Sequence, residues 1–196
     1  TLKPSLLLAD PDRAVQILRH THRLDISSYS LELETKGDQH YEDFKEFCRI
    51  AKTTKVVNVT VPSGEHGTPF NEEVEHLQQL VTIAEGEGVR VAVRSQLGCL
   101  SEDPDTLMVL CNNIDGLGLT LDPSVYICGS ANGKNLDKIL KFVCNVQLRD
   151  SRPDAFQVSV GQGEVDYGKL VTQLERDKYD RGLVVHMTPC DEMDQR

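Results

Sequence analysis

Residues 117–124 read LGLTLDPS, a short apolar run that ends in an aspartate, a proline and a serine. A run this short and this apolar is typical of a strand that is covered on both faces. Asp122 follows the run directly, so a carboxylate lies at the carboxyl end of the strand. Strands of this kind belong to parallel sheets, in which ligands bind beyond the carboxyl ends of the strands.

Similar runs recur on both sides of this one and are separated by amphipathic stretches. We predict six strands, at residues 24–33, 56–61, 89–95, 117–122, 145–150 and 183–188. Helices are predicted at residues 10–22, 40–52, 71–87, 135–143 and 166–177, with another beginning at Asp103 and an incomplete one near Asp191. Alternation in units of about 30 residues implies right-handed βαβ crossovers and a parallel sheet.

Two architectures contain such a sheet, an open doubly wound sheet and a closed (β/α)8 barrel. The GxGxxG loop that often follows the first strand of an open sheet is absent from this sequence. Polar residues instead follow many different strands, among them Glu32, Glu34, Ser63, Glu65, Arg94, Gln96, Asp122, Gln147, Asp150 and His186. Because all strand ends of a barrel meet at one site, this distribution favours the α/β class and a (β/α)8 TIM barrel.

The strand count predicts an incomplete barrel. A whole barrel has about 250 residues, whereas this chain has 196 residues and six predicted strands. We therefore predict one barrel domain over residues 1–196 that lacks the first two βα units. If the protein itself lacks these units, two parallel sheet edges are exposed, and we expect a homo-oligomer that covers them.

The charge balance limits the partners. The chain has 31 acidic and 21 basic residues, which gives a net charge of −10. Such a chain repels nucleic-acid phosphates and anionic membranes unless it carries a local basic patch, and the sequence contains none. Its longest apolar runs are also far too short to span a bilayer. We predict no nucleic-acid partner and no membrane partner.

The six cysteines are spread widely through the chain without a CxxC pair, at Cys48, Cys99, Cys111, Cys128, Cys144 and Cys190. Each lies within or beside an apolar segment, and the sequence shows no signal peptide. Both observations favour reduced, mostly buried thiols over disulfides. The sequence therefore predicts a cytoplasmic protein.

Three blocks of sequence carry a resemblance to a known family. They are GLTLDPS at residues 118–124, VQLRDSRP at 146–153 and GQGEVDY at 161–167. In content, order and spacing they resemble the xylose-isomerase-like barrels, a superfamily of sugar and sugar-phosphate isomerases and epimerases. The resemblance covers about residues 25–190 and implies that these are strands 3–8 of the family pattern.

This resemblance implies a divalent metal, such as Mn²⁺, Mg²⁺ or Zn²⁺, held by four side chains at strand ends. Of the family ligands only the aspartate is retained, as Asp122, and the other positions fall on Arg94, Gln147 and His186. A dication about 5 Å from a guanidinium is repelled by roughly 7 kcal/mol at an effective dielectric of 20. We therefore predict a degenerate site without a metal cofactor, in which an Arg94–Asp122 ion pair takes the place of the metal.

The first functional hypothesis is a catalytically inactive homologue that binds a carbohydrate-like small molecule. Its predicted contacts are Arg94, Asp122, Gln147, Arg149, Arg152 and Glu65. Two guanidiniums close together bind a phosphate or carboxylate well. A salt-bridge cluster with Asp150 and Asp154 accounts equally well for Arg149 and Arg152.

The second hypothesis is an active sugar or sugar-phosphate isomerase or epimerase. One version rebuilds the metal site from Glu65, His66 and Asp122, together with Glu32 or Glu34. The other moves protons without a metal through His186 and Asp150, with Arg94 stabilising the enediolate oxygen. Structural interpretations remain open as well: His186 as a hydrogen-bonded structural histidine, Asp150 as a loop tie, and Glu65-His66 as an exposed loop pair.

Overall fold

The computed structural model describes residues 3–22 and 24–188. Its strands are β1 (Tyr29–Ser30), β2 (Asn58–Val61), β3 (Arg90–Arg94), β4 (Gly118–Leu121), β5 (Val143–Leu148), β6 (Asp150–Arg152), β7 (Ala155–Val158) and β8 (Leu183–Val185). Six of them form one parallel sheet in the order β1-β2-β3-β4-β5-β8, and β6 pairs with β7 in an antiparallel hairpin. The six predicted strands and the α/β barrel class are thereby confirmed.

The helices are α1 (Pro4–Ala9), α2 (Pro11–Arg19), α3 (Asp38–Thr53), α4 (Phe70–Gly86), α5 (Pro104–Asn113), α6 (Val125–Cys128), α7 (Asp137–Leu140) and α8 (Tyr167–Arg176), with a 3-10 turn at Leu100–Glu102. Three of them begin at an aspartate whose side chain accepts a backbone amide of the first turn, at Asp10, Asp103 and Asp166. Such caps satisfy amides that have no partner within the helix. The caps explain why these helix starts are readable from the sequence.

Several predicted boundaries were wrong. Only Tyr29–Ser30 of the strand predicted at residues 24–33 pairs with β2, and the helix predicted at 135–143 is limited to Asp137–Leu140. Val143 instead begins β5, which starts two residues earlier than predicted. Helices α1 and α6 and the β6–β7 hairpin were not predicted from the sequence. The incomplete helix predicted near Asp191 lies outside the described residues.

The two faces of the sheet differ in chemistry. The apolar core packs between the sheet and the helices and includes Val59, Val93 and Leu119, which are fully buried. The opposite face carries polar residues, so that the hydroxyls of Thr60 and Thr120 lie 2.7 Å apart. Successive strand residues alternate between faces. This alternation places polar side chains on the inside of the barrel.

The sheet curls strongly. Asn145 on β5 donates a hydrogen bond to Ser28, which precedes β1, over 3.1 Å. These two strands are not neighbours in the sheet, so the contact crosses the barrel interior. The carboxyl ends of β3, β4, β5 and β8 consequently converge at one mouth, as expected for this fold.

Two further predictions concern the chain as a whole. Five cysteines lie within the described residues, and Cys48, Cys99, Cys111, Cys128 and Cys144 are all free thiols, whereas Cys190 lies outside them. Across residues 3–22 and 24–188, every helix is too short or too polar to cross a lipid bilayer.

Candidate functional site

Three strand-end residues meet at the barrel mouth, and we call them the Arg149 centre. Asp122 follows β4, Arg149 follows β5 and His186 follows β8. Arg149 lies between the other two, with Nε 2.9 Å from Asp122 Oδ2 and Nη2 2.7 Å from His186 Nδ1. The Nε–H is not aligned with the carboxylate oxygen, so the contact with Asp122 is an ion pair rather than a linear hydrogen bond.

The contact with Arg149 determines the proton position on His186. A guanidinium can only donate hydrogen bonds, so Nδ1 of His186 accepts and the proton of the neutral ring lies on Nε2. Burial lowers the pKa of His186, and the charges of Arg149 and Arg94 lower it further. His186 is therefore a neutral imidazole whose free edge offers an N–H donor.

Asp122 is held in an almost fully buried position. Burial raises the pKa of Asp122, while the positive charge of Arg149 and a hydrogen bond from the Ser124 amide oppose that rise. The Ser124 hydroxyl also donates to the Arg149 carbonyl over 3.0 Å. Backbone and side chain contacts together fix the ion pair, which is only 3% and 8% exposed at its two side chains.

The predicted Arg94–Asp122 ion pair was wrong. Arg94 instead pairs with Glu32, and its Nε and Nη2 atoms lie 3.2 and 2.6 Å from Gln96 Oε1. Strands β3 and β5 both flank β4, so either arginine could reach Asp122. Glu32 and Gln96 hold the guanidinium of Arg94, and Arg149 takes the position beside Asp122. A cation does lie beside Asp122, but a different arginine supplies it.

The hairpin β6–β7 covers one side of the centre. The guanidinium of Arg149 lies 4.5 Å from the ring centroid of Phe156 on β7, within the range of cation–π attraction. Arg152 lies apart from Arg149, is half exposed, and has Asp154 as its ion-pair partner at 3.9 Å. The two arginines therefore do not form the predicted phosphate or carboxylate clamp, because Arg149 turns into the barrel.

Asp150 ties the loop that follows this hairpin. Its carboxylate accepts four backbone amides, from Ser151, Gly161, Gly163 and Val165. Burial alone raises the pKa of Asp150, but these hydrogen bonds outweigh that effect and leave the pKa below its ordinary value. Both oxygens are engaged, so the geometry matches the loop-tie interpretation of Asp150.

Gln147 and Asn58 place unsatisfied acceptors inside the barrel. Gln147 is 5% exposed, and its amide nitrogen lies 3.5 Å from the Ser30 hydroxyl. The side-chain oxygens of Gln147 and Asn58 have no hydrogen-bond partner within the described residues. A buried acceptor without a donor is costly, so this interior favours a ligand or solvent that donates hydrogen bonds.

Glu65 and His66 do not belong to the Arg149 centre. Nε2 of His66 is 3.1 Å from Glu102, while Glu65 is exposed beside a cavity of about 290 Å³ that we call the helix-side cavity. That cavity is also lined by Glu32 and Gln96, but not by any residue of the Arg149 centre. The rebuilt metal site is not assembled, since no three His, Cys, Asp or Glu side chains converge suitably among the described residues.

The residues at the family's metal positions do not fit a divalent cation. Asp122 is the only carboxylate among them, and a buried guanidinium already neutralises it. His186 has its lone-pair nitrogen engaged by the same guanidinium, and Gln147 offers a neutral amide. Mg²⁺ and Mn²⁺ need several anionic oxygens, and Zn²⁺ needs three or four good donors.

The sequence contains a signal for the inward direction of Arg149, which the predicted Arg94–Asp122 pair did not take into account. Asn145, Gln147 and Arg149 alternate at a period of two, so all three point to the polar interior face. The shift in register between β4 and β5 at Leu119/Thr120 was not visible in the sequence. The alternation predicts an inward Arg149, but the register decides which carboxylate it meets.

Comparison with solved structures places this fold among known barrels. A "D-tagatose 3-epimerase-like protein" has a TM-score of 0.73 at 16% identity, with 90% of this chain and 76% of that chain covered. The "IOLI protein with a binding zinc atom" has a TM-score of 0.71 at 19% identity, covering 98% and 78%. A barrel protein from Mycobacterium smegmatis in complex with magnesium has a TM-score of 0.74 at 14% identity, covering 94% and 74%. At such identities the likeness shows the fold.

The family itself is shown by the sequence. No curated protein matches this chain. Residues 8–195, however, match the sequence profile of the family described as Xylose isomerase-like TIM barrel. Because the match spans nearly the whole chain, this protein belongs to the xylose isomerase-like TIM barrel family.

Proposed function

We propose that this chain is a metal-independent member of its family that binds a carbohydrate-like small molecule at the barrel mouth without catalysing metal-assisted isomerisation. The observation that carries the proposal is the position of Arg149, in contact with both Asp122 and His186. The guanidinium supplies the positive charge that a metal supplies in relatives such as the zinc-binding and magnesium-binding barrels.

The energetics of the Arg149–Asp122 ion pair favour the arginine over a metal ion as the cation beside Asp122. Both partners are buried, so a metal ion that takes Asp122 leaves the guanidinium of Arg149 without its carboxylate and repels it. Breaking such a pair typically costs about 3–5 kcal/mol. An incoming dication has to overcome that cost and would still find only one anionic ligand.

The groups around the centre suit a polyhydroxylated ligand. Gln147 presents an unpaired acceptor, His186 a donor, and Arg94 a guanidinium that is partly exposed. A hydroxyl group can donate to the first and accept from the other two. We assign Arg152 to the rim of this site, where its exposed side chain reaches solvent. Glu65 belongs to the helix-side cavity instead.

Metal-free isomerisation is the weaker alternative. Proton transfer beside a carbonyl needs a positioned base. His186 has no free lone pair when Arg149 donates to Nδ1, and Asp150 is saturated with backbone amides. Neither residue can accept a proton without giving up a contact that holds the local structure. These contacts favour a ligand-binding role for the site over proton transfer by His186 or Asp150.

Saturation-transfer NMR with neutral aldoses and ketoses, sugar phosphates and D-tagatose, with and without EDTA, tests the proposal. We expect at least one neutral sugar to bind equally with and without chelator, and no interconversion of any sugar when Mn²⁺ is added. Gln147→Leu should weaken binding about tenfold, whereas Gln78→Leu on the exposed face of α4 should not change it. Binding that needs metal, turnover with Mn²⁺, or failure of every sugar to bind contradicts the proposal.

A further inference from the structure

The helix-side cavity lies outside the barrel interior, between the ends of β1 and β2 and the helices α3 and α4. Its volume of about 290 Å³ is close to the lower limit of small-molecule pockets, roughly 300 Å³. None of its lining residues belongs to the Arg149 centre. An inference about this cavity therefore goes beyond the proposed function.

One wall of the cavity is apolar. Leu31, Phe44 and Leu80 line it and are almost fully buried. Aliphatic and aromatic side chains together give a surface that favours a compact apolar body, since burying such a body removes apolar area from water.

The same two helices present imidazole rings one turn away, because His40 precedes Phe44 on α3 and His76 precedes Leu80 on α4. Nδ1 of His40 lies 3.0 Å from the carbonyl oxygen of Thr35, which can only accept, so in the neutral ring Nε2 of His40 carries the lone pair. The ring of His76 lies 5.3 Å from that of His40 and holds the Tyr41 hydroxyl 3.0 Å from its own Nδ1. Burial lowers the pKa of His76, and the nearby His40 lowers it further.

The cavity has one uncompensated charge. Glu32 lies at its rim, but Arg94 neutralises that carboxylate. Glu65 is exposed at the entrance and forms no ion pair within the described residues; the backbone beside it bridges to Cys99. Of the two carboxylates that line the cavity, Glu65 therefore keeps its negative charge uncompensated, at an opening that leads to an apolar interior.

We propose that the helix-side cavity binds a small organic monocation, with a compact apolar body packed against Leu80 and Phe44 and a primary ammonium group at Glu65 and His40. An ammonium group has three donors and no acceptor, which suits the Glu65 carboxylate and the Nε2 lone pair of a neutral His40 ring. A carboxylate of the same size meets repulsion from Glu65 and finds no cation free to bind it there. A neutral alcohol fits the apolar wall but lacks the charge attraction.

Three probes of nearly identical shape test this assignment on the full chain: benzylamine as its cation, benzyl alcohol and benzoate. Binding is followed by calorimetry and by the NMR signals of the His40, His76 and His186 rings. We expect benzylamine to shift the His40 and His76 signals and leave His186 unchanged. Benzyl alcohol should bind about tenfold more weakly, and benzoate should not bind measurably.

Two variants make the test specific. Glu65→Gln should weaken the binding of benzylamine about tenfold. Glu164→Gln removes an exposed carboxylate on another loop and should leave that binding unchanged. Leu33→Trp fills the cavity from its partly buried rim and should abolish binding of both benzylamine and benzyl alcohol while the protein remains folded. The assignment is overturned if benzoate binds as tightly as benzylamine, if benzylamine does not bind, or if Glu65→Gln has no effect. Sugar binding at the mouth should be unaffected by Glu65→Gln, which separates this test from that of the proposed function.

Discussion

Single residues determine the charge at the barrel mouth, and Arg149 matters most among them. The sequence predicted a cation beside Asp122, and the structure places one there, but it comes from β5 rather than β3. Position in the family pattern pointed to Arg94, because that residue occupies a ligand position. Side-chain direction and the shifted β4–β5 register decide the pairing, and neither can be predicted from residue identity alone.

Breaking the buried pair from one side should destabilise the protein strongly. We expect Arg149→Met to lower the free energy of unfolding by about 3–5 kcal/mol, because Asp122 then remains buried without a partner. The double variant with Asp122→Asn should lose clearly less than Arg149→Met alone, since no lone charge remains. Urea denaturation measures both values.

Arg152→Met provides the matched control for this prediction. The guanidinium of Arg152 is half exposed and 3.9 Å from Asp154, so this variant should lose no more than about 0.5 kcal/mol of unfolding free energy. Equal losses for Arg149→Met and Arg152→Met would contradict the buried ion pair.

Glu102 was not singled out by the sequence, yet it joins three loops near the mouth. Its carboxylate accepts from the Gly98 amide and from both the amide and the hydroxyl of Ser130, and it contacts His66. Burial alone raises the pKa of Glu102, but these contacts outweigh burial and lower the pKa from 4.5 to about 2. The folded state therefore gains stability from the ionised form, and loses it as the pH falls from about 4.5 towards 2.

Replacing this carboxylate should show that pH dependence directly. We expect Glu102→Gln to cost about 2–3 kcal/mol of unfolding free energy at pH 7, and the difference from wild type to shrink as the pH falls below 4.5. Glu75→Gln, an exposed carboxylate of α4, should cost almost nothing at any pH. Urea denaturation curves across this pH range measure the difference in unfolding free energy between wild type and Glu102→Gln. A difference that does not vary with pH would contradict the claim that the ionised form of Glu102 joins the three loops.

At the scale of elements, helix starts were predictable and the β6–β7 hairpin was not. The Asp-Pro starts of α2 and α5 carry their signal in two adjacent residues, because the cap and the first-turn proline are local features. The hairpin strands have only three and four residues, DSR and AFQV, too few for a periodic pattern to be recognised. Its position comes from distant contacts, namely the amides held by Asp150 and the packing of Phe156 on Arg149.

The loop tie at Asp150 predicts a specific sensitivity at Gly163. An added Cβ at Gly163 would lie 2.0 Å from Asp150 Oδ1 and 2.6 Å from the Ser151 amide nitrogen, so the backbone has to move. We expect Gly163→Ala to cost about 2 kcal/mol and to increase amide exchange over residues 150–165. Thermal unfolding and hydrogen exchange measure these effects.

Gly168→Ala is the control within the same region. A Cβ there meets only ordinary contact with Asp166 at 3.6 Å, and alanine favours the helix α8. This variant should be neutral or stabilise the protein by up to about 1 kcal/mol. Similar exchange behaviour for the two alanine variants would contradict the loop tie.

For the whole molecule, the sequence predicted the class and order of the sheet because strands and helices alternate at a regular spacing. The strands at the two ends of the sheet were overestimated, since β1 and β8 have two and three paired residues although the apolar runs around them are longer. Within the described residues these strands have a neighbour on one side only, and pairing rather than composition defines their length. The sequence also predicted a cation beside Asp122, whereas its identity as Arg149 required the packed structure.

The central claim is that Arg149 takes the place of a metal beside Asp122, and crystals soaked in manganese test it most directly. The anomalous difference map at the manganese absorption edge should have no peak at the Arg149 centre, with Arg149 Nε remaining close to its present 2.9 Å from Asp122 Oδ2. A strong peak coordinated by Asp122 and His186, with the Arg149 guanidinium turned away, would contradict the account.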